Sequence, residues 1–172
     1  MLLKITNDLS FKPIFFAILF CIVFTGGCGL DGGRSLEEIK ESGKLIILTQ
    51  NTPTVYFYDS NEQPSGFEYE MAEAFAKQLG VETEYKVLHT VHEILSSLEK
   101  GEGDLASAGL TKTAVRSNRF LFGPVYEKVH QQIVCHKGIK KSGKLSDFSG
   151  LKITVPKNSS YAENLANLNR VS

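Results

Sequence analysis

The sequence predicts an α/β domain with a mostly parallel sheet and flanking helices. Short apolar runs typical of strands alternate with segments of helical spacing, and the order strand, helix, strand, helix favours parallel strands. The chain has 172 residues and is 42% hydrophobic, which is enough to bury the core of one ordinary domain. We therefore expect one folded domain built around a buried sheet.

The first predicted helix leads directly into the first predicted strand. Ser35 and Glu38 have the spacing of a capping box, in which each side chain accepts a hydrogen bond from the backbone of the other, and Gly43 is placed to end the helix. Residues 44–49 form the compact apolar run that a strand buried on both faces requires. Residues 50–65 contain two prolines and are predicted to be a loop.

The second predicted helix has the clearest periodicity in the chain. Apolar residues recur at every fourth position, and alanines widen the stripe that they form: Phe67, Met71, Phe75, Leu79, Ala72 and Ala76. Gly80 follows where a helix would end. We expect this apolar stripe to be the buried face of the helix.

Three further elements are predicted after this helix. Residues 81–87 alternate apolar and polar side chains, which predicts a strand, and residues 91–100 return to helical spacing. Residues 104–108 are predicted to be a short strand. A loop through Thr111 then leads into a helical turn that carries Arg116.

The last third of the chain is predicted to add one strand and one helix. Residues 120–126 and 128–136 have the character of crossing segments, and residues 151–155 are predicted to begin a new strand. Residues 158–160 then open one helix.

The N-terminus has the pattern of an export signal. Lys4 and Lys12 precede an apolar run at residues 14–24, which is shorter than the roughly 20 residues needed to cross a bilayer. Small residues then precede Cys28 in a pattern that resembles a lipobox. We expect residues 1–27 to be a lipoprotein signal peptide, Cys28 to be lipidated and the glycine-rich residues 28–34 to be a tether. The alternatives are an ordinary cleaved signal or a short uncleaved anchor.

The residue after the lipidated cysteine indicates which membrane is used. Gly29 stands where an aspartate would usually mark retention in the inner membrane. We therefore expect attachment to the periplasmic face of the outer membrane, with the inner membrane or the soluble periplasm as alternatives.

Composition and spacing argue against several classes of function. The 19 basic and 19 acidic side chains cancel, so no net field attracts nucleic acid. Cys135 and His136 are neighbours in a predicted strand and would point to opposite faces, which excludes a nucleophile–base pair. His89 and His92 have the spacing of two metal ligands but lack a third. We expect no metal site and no cofactor.

The stretch from Gly66 to Arg116, with its GFEYEMAEAF and AGLTKTAVR segments, resembles the first lobe of bacterial extracellular solute-binding proteins of family 3. Members of that family capture amino acids and similar small solutes. Within it, the sequence is most similar to the non-catalytic N-terminal module of membrane-bound lytic murein transglycosylases of the F type. The resemblance implies a periplasmic-binding-protein-like domain at residues 35–172, with a first lobe at about 35–136 and an incomplete second lobe at about 150–172.

The resemblance also implies a ligand site beyond the carboxyl ends of the strands. The arginine with which the family grips a ligand carboxylate matches Arg116, while Thr111 would add a hydroxyl and Gly109 a backbone group. Ser160, at the start of the second-lobe helix, either helps to bind an anion or simply caps that helix. Tyr56 either lines the cleft or packs beneath its own loop.

We therefore expect a lipid-anchored periplasmic module that binds a small carboxylate ligand, such as an amino acid, a peptide or a muropeptide. The expected partners are the membrane and either a C-terminal transglycosylase domain or, alternatively, an ABC permease whose amino-acid importer the chain would serve. A transglycosylase needs a catalytic Glu-Ser pair with further motifs downstream. Glu41-Ser42 lacks those motifs, so we expect this chain not to be an enzyme.

Overall fold

A computed structural model describes residues 33–138 and 148–171. The predicted signal peptide, Cys28 and most of the tether lie outside the described residues. The helices and strands, in chain order, are α1 (Leu36–Ser42), β1 (Lys44–Thr49), β2 (Phe57–Tyr58), β3 (Pro64–Ser65), α2 (Phe67–Leu79), β4 (Glu82–Val87), α3 (Val91–Glu99), β5 (Leu105–Ala106), α4 (Ala114–Ser117) and α5 (Ser160–Val171).

The predicted parallel sheet is confirmed, with β1 as its central strand. β4 pairs with one edge of β1 and β5 with the other, and both pairings are parallel. Ile47 of β1 lies opposite Tyr85 of β4 and Leu105 of β5. Because the three strands run in the same direction, their carboxyl ends meet at one edge.

The core lies on both faces of β1. On one face, Leu45 and Ile47 pack with Ile39 of α1 and two alanines of α2; on the other, Leu48 packs with Ile94 of α3. Ile47, Leu48 and Ile94 are completely buried. Truncating such a side chain to alanine typically costs about 2–5 kcal/mol of the free energy of unfolding.

The predicted capping box at the start of α1 is confirmed. The backbone N–H of Ser35 donates to Glu38 Oε2 at 2.7 Å, and the N–H of Glu38 donates to Ser35 Oγ at 3.3 Å. The backbone N–H of Ser35, together with its side chain, holds the pKa of the Glu38 carboxyl below its usual value. Gly43 ends the helix in the left-handed conformation, as its position predicts.

The bounds of α2 agree with prediction, but the predicted buried face is only partly confirmed. The side chains of Phe67, Met71 and Phe75 are 55%, 36% and 44% exposed, whereas Ala72 and Ala76 are buried. The buried alanines pack against Leu45 and Ile47 of the sheet, where α2 approaches closely enough for small side chains to fit. Phe67, Met71 and Phe75 each stand one residue before the buried face, so their side chains are rotated from it by about 100° around the helix axis and face outward.

Two predicted strand and loop assignments also differ from the structure. The predicted loop at residues 50–65 contains the short antiparallel pair β2–β3. Residues 151–155 form no strand, and residues 120–136 form no regular element. A strand needs a neighbour to satisfy its backbone hydrogen bonds, and no pairing to residues 151–155 occurs within residues 33–138 and 148–171.

The folded domain begins at or before Arg34, which the glycine-rich sequence predicts to belong to the tether. Its guanidinium donates to both carboxylate oxygens of Asp104, with Nε at 2.9 Å from Oδ1. Asp104 is buried and also accepts the N–H of Ile46 at 2.7 Å. Arg34 thus ties the start of the domain to the segment just before β5.

The entry to α2 requires glycine at position 66. Gly66 has a φ of 133°, and a Cβ added there would lie 2.3 Å from the carbonyl oxygen of Val55. That oxygen accepts a hydrogen bond from the N–H of Tyr69 at 3.0 Å, so it serves the first turn of the helix. The segment just before β2 and the start of α2 therefore meet at a point with no room for a side chain.

We predict that Gly66→Ala lowers the free energy of unfolding by at least about 3 kcal/mol, because backbone strain and a backbone clash add together. The matched control is Gly80→Ala at the other end of α2. Gly80 has a φ of 76° but nothing within 4 Å of an added Cβ, so about 1–2 kcal/mol is expected. Urea denaturation of the three proteins measures both values; equal losses would contradict the predicted clash.

Candidate ligand site

The candidate site begins where the parallel strands end. After β1, Gln50 reaches across and donates from Nε2 to the carbonyl oxygen of Ala108 at 3.1 Å. After β4, the N–H of Leu88 donates to the carbonyl oxygen of Thr49 at 2.8 Å. These bonds fix the chain segments at the edge where ligands of open α/β sheets usually bind.

The loop after β5 places Arg116 at this edge. Thr113 caps the single turn α4, because its Oγ1 accepts the N–H of Arg116 at 3.3 Å. The Arg116 residue is only 5% exposed, although arginine side chains are rarely buried without partners. The prediction that a short helical turn carries Arg116 is confirmed; its role as a ligand contact stays a prediction.

The guanidinium of Arg116 makes three polar contacts with other described residues. Nη1 donates to the carbonyl oxygen of Thr111 at 3.1 Å, and Nη2 donates to that of Asn158 at 3.5 Å. Nε lies 3.7 Å from Oε1 of Glu163 in the first turn of α5, which makes an ion pair. The other oxygen, Glu163 Oε2, is buried and finds no hydrogen-bond donor among the described residues.

These groups line a cleft of about 410 Å³. Its walls come from α3, α4 and the start of α5 and carry charges of both signs: His92, Leu95, Ser96, Glu99, Val115, Arg116, Arg119, Asn158 and Glu163. Arg119 pairs with Glu99 within this lining. Arg116 is the more deeply buried of the two arginines.

The start of α5 lies beside Arg116. Ser159 caps the helix, since its Oγ accepts the N–H of Ala162 at 3.2 Å and donates to the carbonyl oxygen of Pro156 at 2.6 Å. Ser160 is buried, and its Oγ accepts a hydrogen bond from Gln131 Nε2 at 3.4 Å. The cap is therefore Ser159, and Ser160 is bonded to the crossing segment.

Gly109 and Thr111 lie in the loop that precedes Arg116, and their roles as ligand contacts stay predictions. The N–H of Gly109 already donates to Glu68 Oε1 at 2.8 Å. Thr111 accepts a hydrogen bond from Arg116 Nη1 through its carbonyl oxygen. Both residues therefore shape the loop in this structure.

Sequence reasoning missed Glu68, a buried carboxylate at the start of α2. A signal for it was present, because Glu68, Ala72 and Ala76 are four residues apart and share one helix face. Once the alanines are recognised as the face against the sheet, Glu68 has to be buried with them. A buried charge on a helix face indicates fixed hydrogen-bond partners.

Tyr56 packs beneath its own loop, which is the alternative that the sequence left open. It is buried, its ring stacks on that of Tyr85 at 5.1 Å between centroids, and Tyr58 and Tyr69 meet it edge-on. Burial, together with the hydrogen bond to the Tyr58 hydroxyl, raises the pKa of Tyr56 to about 12. Burial likewise raises the pKa of Tyr85.

Neither a metal-binding cluster nor a membrane-spanning helix is found within residues 33–138 and 148–171. No three His, Cys, Asp or Glu side chains within them lie close enough together to hold a metal ion. None of the helices there is both long and apolar enough to cross a membrane.

Comparison with known proteins identifies the family. Residues 44–170 match the model of bacterial extracellular solute-binding proteins, family 3. The chain belongs to this family. The matched residues of this solute-binding protein run from β1 into α5 and include Arg116 and Ser160.

Curated relatives of this solute-binding protein are named membrane-bound lytic murein transglycosylase F. The relative from Saccharophagus degradans is 41% identical over 136 residues, which are 79% of this chain and 27% of the relative. The relative from Pseudomonas putida is 36% identical over 160 residues, which are 92% of this chain and 32% of the relative. The chain thus spans less than a third of the length of these relatives.

Solved structures with partial likeness include an ancestral cationic amino acid solute-binding protein. It is 34% identical, with a TM-score of 0.46, and the likeness covers 49% of this chain and 37% of that one. The arginine-bound form of domain 1 from TmArgBP is 29% identical, with a TM-score of 0.44, covering 47% of this chain and 64% of that one.

We predict that the tyrosine cluster limits stability in alkali. A pKa raised in the folded state contributes stability that is complete below the ordinary tyrosine value of about 10 and disappears as pH rises through about 12. Absorbance at 295 nm and circular dichroism should therefore change together as the cluster ionises and the fold opens. Tyr56→Phe, which cannot ionise, should move this transition to higher pH; an unchanged midpoint would contradict the prediction.

Proposed function

We propose that this protein is a periplasmic solute-binding module that captures a small ligand by its carboxylate through Arg116. The observation that carries the proposal is the guanidinium itself, buried in a cleft between α3, α4 and the start of α5. A guanidinium presents paired N–H donors that match the two oxygens of a carboxylate. Burial strengthens such a pair because little water remains to screen it.

Glu163 supports the choice of a carboxylate. Its side chain comes within 3.7 Å of Arg116 Nε, so a carboxylate can reach this guanidinium from the cleft. The contact is longer than a hydrogen bond, and the second oxygen of Glu163 has no donor within the described segments. A ligand carboxylate that approached closely enough to form two hydrogen bonds would satisfy Arg116 better than Glu163 does.

The cleft fits a small polar ligand. Its volume of about 410 Å³ is in the range of about 300–1,000 Å³ that small-molecule sites usually have. Charges of both signs in its lining favour a ligand that carries both signs or several hydrogen-bonding groups. An amino acid, a short peptide or a muropeptide meets this description.

The relatives favour a role for this chain as a regulatory module that accompanies a separate peptidoglycan-cleaving domain. These relatives are named as lytic murein transglycosylases, and this chain matches less than a third of their length. We propose that the chain corresponds to the non-catalytic module of such a protein and is not itself an enzyme. The alternative, supported by the family, is the substrate-binding component of an amino-acid ABC transporter.

We predict that Arg116→Ala weakens the binding of a carboxylate ligand at least tenfold, since losing one partner of a buried charged pair costs about 2–5 kcal/mol. Calorimetry with L-arginine, L-glutamate, L-glutamine and muramyl dipeptide measures the affinity. The matched control is Arg119→Ala, which removes the same charge from the same cleft but from a half-exposed side chain. A change below about threefold is expected there. Equal effects of the two substitutions, or no binding by any probe, would contradict the proposal.

We propose further that Cys28 is lipidated and holds the protein at the periplasmic face of the outer membrane. The support is the short apolar run and the small residues that precede this cysteine. Diacylglycerol supplies two chains, which bind a membrane far more firmly than one.

The expected result of Cys28→Ala is release of the protein into the soluble fraction or failure of signal processing. Cys21→Ala is the matched control, because it removes a cysteine from the same leader and should leave the membrane fraction unchanged. Fractionation with labelling by a palmitate analogue checks both variants. Continued labelling of the Cys28→Ala variant would show that the lipid is attached elsewhere.

A further inference from the structure

Glu68 is a buried carboxylate that the proposed ligand contacts do not use. It lies in the first turn of α2 and is only 5% exposed. Removing a carboxylate from water is costly unless hydrogen bonds replace the lost hydration. The partners of Glu68 therefore indicate what the residue holds in place.

Three donors converge on this carboxylate. Oε1 accepts the backbone N–H of Gly109 at 2.8 Å and also the hydroxyl of Tyr126, while Oε2 accepts the hydroxyl of Ser107 at 3.1 Å. An ionised carboxylate only accepts hydrogen bonds, so it suits three donors in a way that a neutral side chain does not. The donors come from residues 39 to 58 positions further along the chain.

The bond to Gly109 fixes the backbone where the sheet has ended. The last ladder bond beyond β5 is that of Ser107, whose N–H donates to the carbonyl oxygen of Leu48 at 2.9 Å. Two residues later Gly109 adopts a φ of 63°, and the carboxylate takes the place of a neighbouring strand as the acceptor of its N–H. The loop that leaves this point contains Thr111 and ends in the turn that carries Arg116.

The bond to Tyr126 brings the crossing segment to the same place. The Tyr126 ring also contacts Phe67, the neighbour of Glu68, with 5.4 Å between ring centroids. Tyr126 lies between the loop of Arg116 and the helix of Glu163 along the chain. One carboxylate thus joins α2, the strand-end loop and the segment that leads towards α5.

We propose that Glu68 is a positioning residue for the ligand site, which holds the strand-end loop so that Arg116 faces the cleft. Glu68 acts through Gly109 and does not touch the ligand. The effect on ligand affinity rests on the proposed function, whereas the effect on the loop rests on the hydrogen bonds alone.

Two substitutions separate the acceptor from the charge. Glu68→Ala removes every acceptor of the side chain. Glu68→Gln keeps one oxygen for Gly109 and Tyr126, and its amide can donate to Ser107, whose hydroxyl has a second acceptor in the backbone oxygen of residue 68 at 3.3 Å. The matched control is Glu70→Ala, which removes an exposed carboxylate from the same helix.

Amide hydrogen exchange on the purified chain tests the loop. In Glu68→Ala, the Gly109 amide should exchange at least about tenfold faster while the Ser107 amide, bonded within the sheet, keeps its rate. Glu68→Gln should restore slow exchange at Gly109, and Glu70→Ala should change neither amide. General destabilisation would accelerate both amides together, so that result, or an unchanged Gly109, overturns the proposal. If Glu68→Ala does not fold, Glu68→Asp withdraws the carboxylate by one methylene and carries the same expectation.

A double-mutant cycle tests the ligand effect with the amino acids and muramyl dipeptide named above. Glu68→Ala should weaken binding about tenfold when Arg116 is present and less than about threefold in the Arg116→Ala background, because the two residues act in series. Equal weakening in both backgrounds would show that Glu68 does not act through Arg116. If none of these probes binds the unsubstituted protein, the proposed function fails, and the exchange rates of Gly109 and Ser107 still decide whether Glu68 holds the loop.

Discussion

The structure depends on the burial of β1 on every side. This strand is paired along both edges, by β4 and β5, and covered on both faces, by α1 and α2 on one and by α3 on the other. A strand in that position must be apolar at successive residues, which is what its sequence provides. Because its neighbours are parallel to it, their carboxyl ends are placed together, and the candidate site exists at that edge as a consequence of the pairing.

Buried charges then decide the shape of the site. The side chains of Arg116, Glu68 and Asp104 each lose most of their hydration, and each has at least one partner in a segment far away along the chain. A buried charge whose partner moves away is strongly destabilising, so these pairs restrict where the connecting loops can lie. The loop between β5 and α4 is held at Gly109 by Glu68 and at Thr111 by Arg116. The acidic and basic residues of the site therefore belong to one connected arrangement.

Local patterns predicted most of the first lobe correctly. The capping box of α1, the bounds of β1 and α2, and the helix start near Thr113 each depend on residues adjacent in sequence, so short-range rules were sufficient. The buried face of α2 was predicted only in part, because the periodicity identifies faces but not the distance to the sheet. Because α2 packs close to the sheet, its alanines face the sheet, and Phe67, Met71 and Phe75 are exposed. The strand predicted at residues 151–155 did not form because pairing requires a partner that local sequence does not supply.

The sequence by itself determined the α/β class, the family and the position of Arg116 in the chain, since all three follow from order and spacing. Only the tertiary structure decided which groups that arginine meets. Its pairing with Glu163, the use of the Gly109 N–H by Glu68 and the packing of Tyr56 on Tyr85 join residues that are 29 to 47 positions apart. Hydrogen bonds and ion pairs form only within about 4 Å, and that proximity is created by the folding of the sheet and its helices rather than by any local pattern.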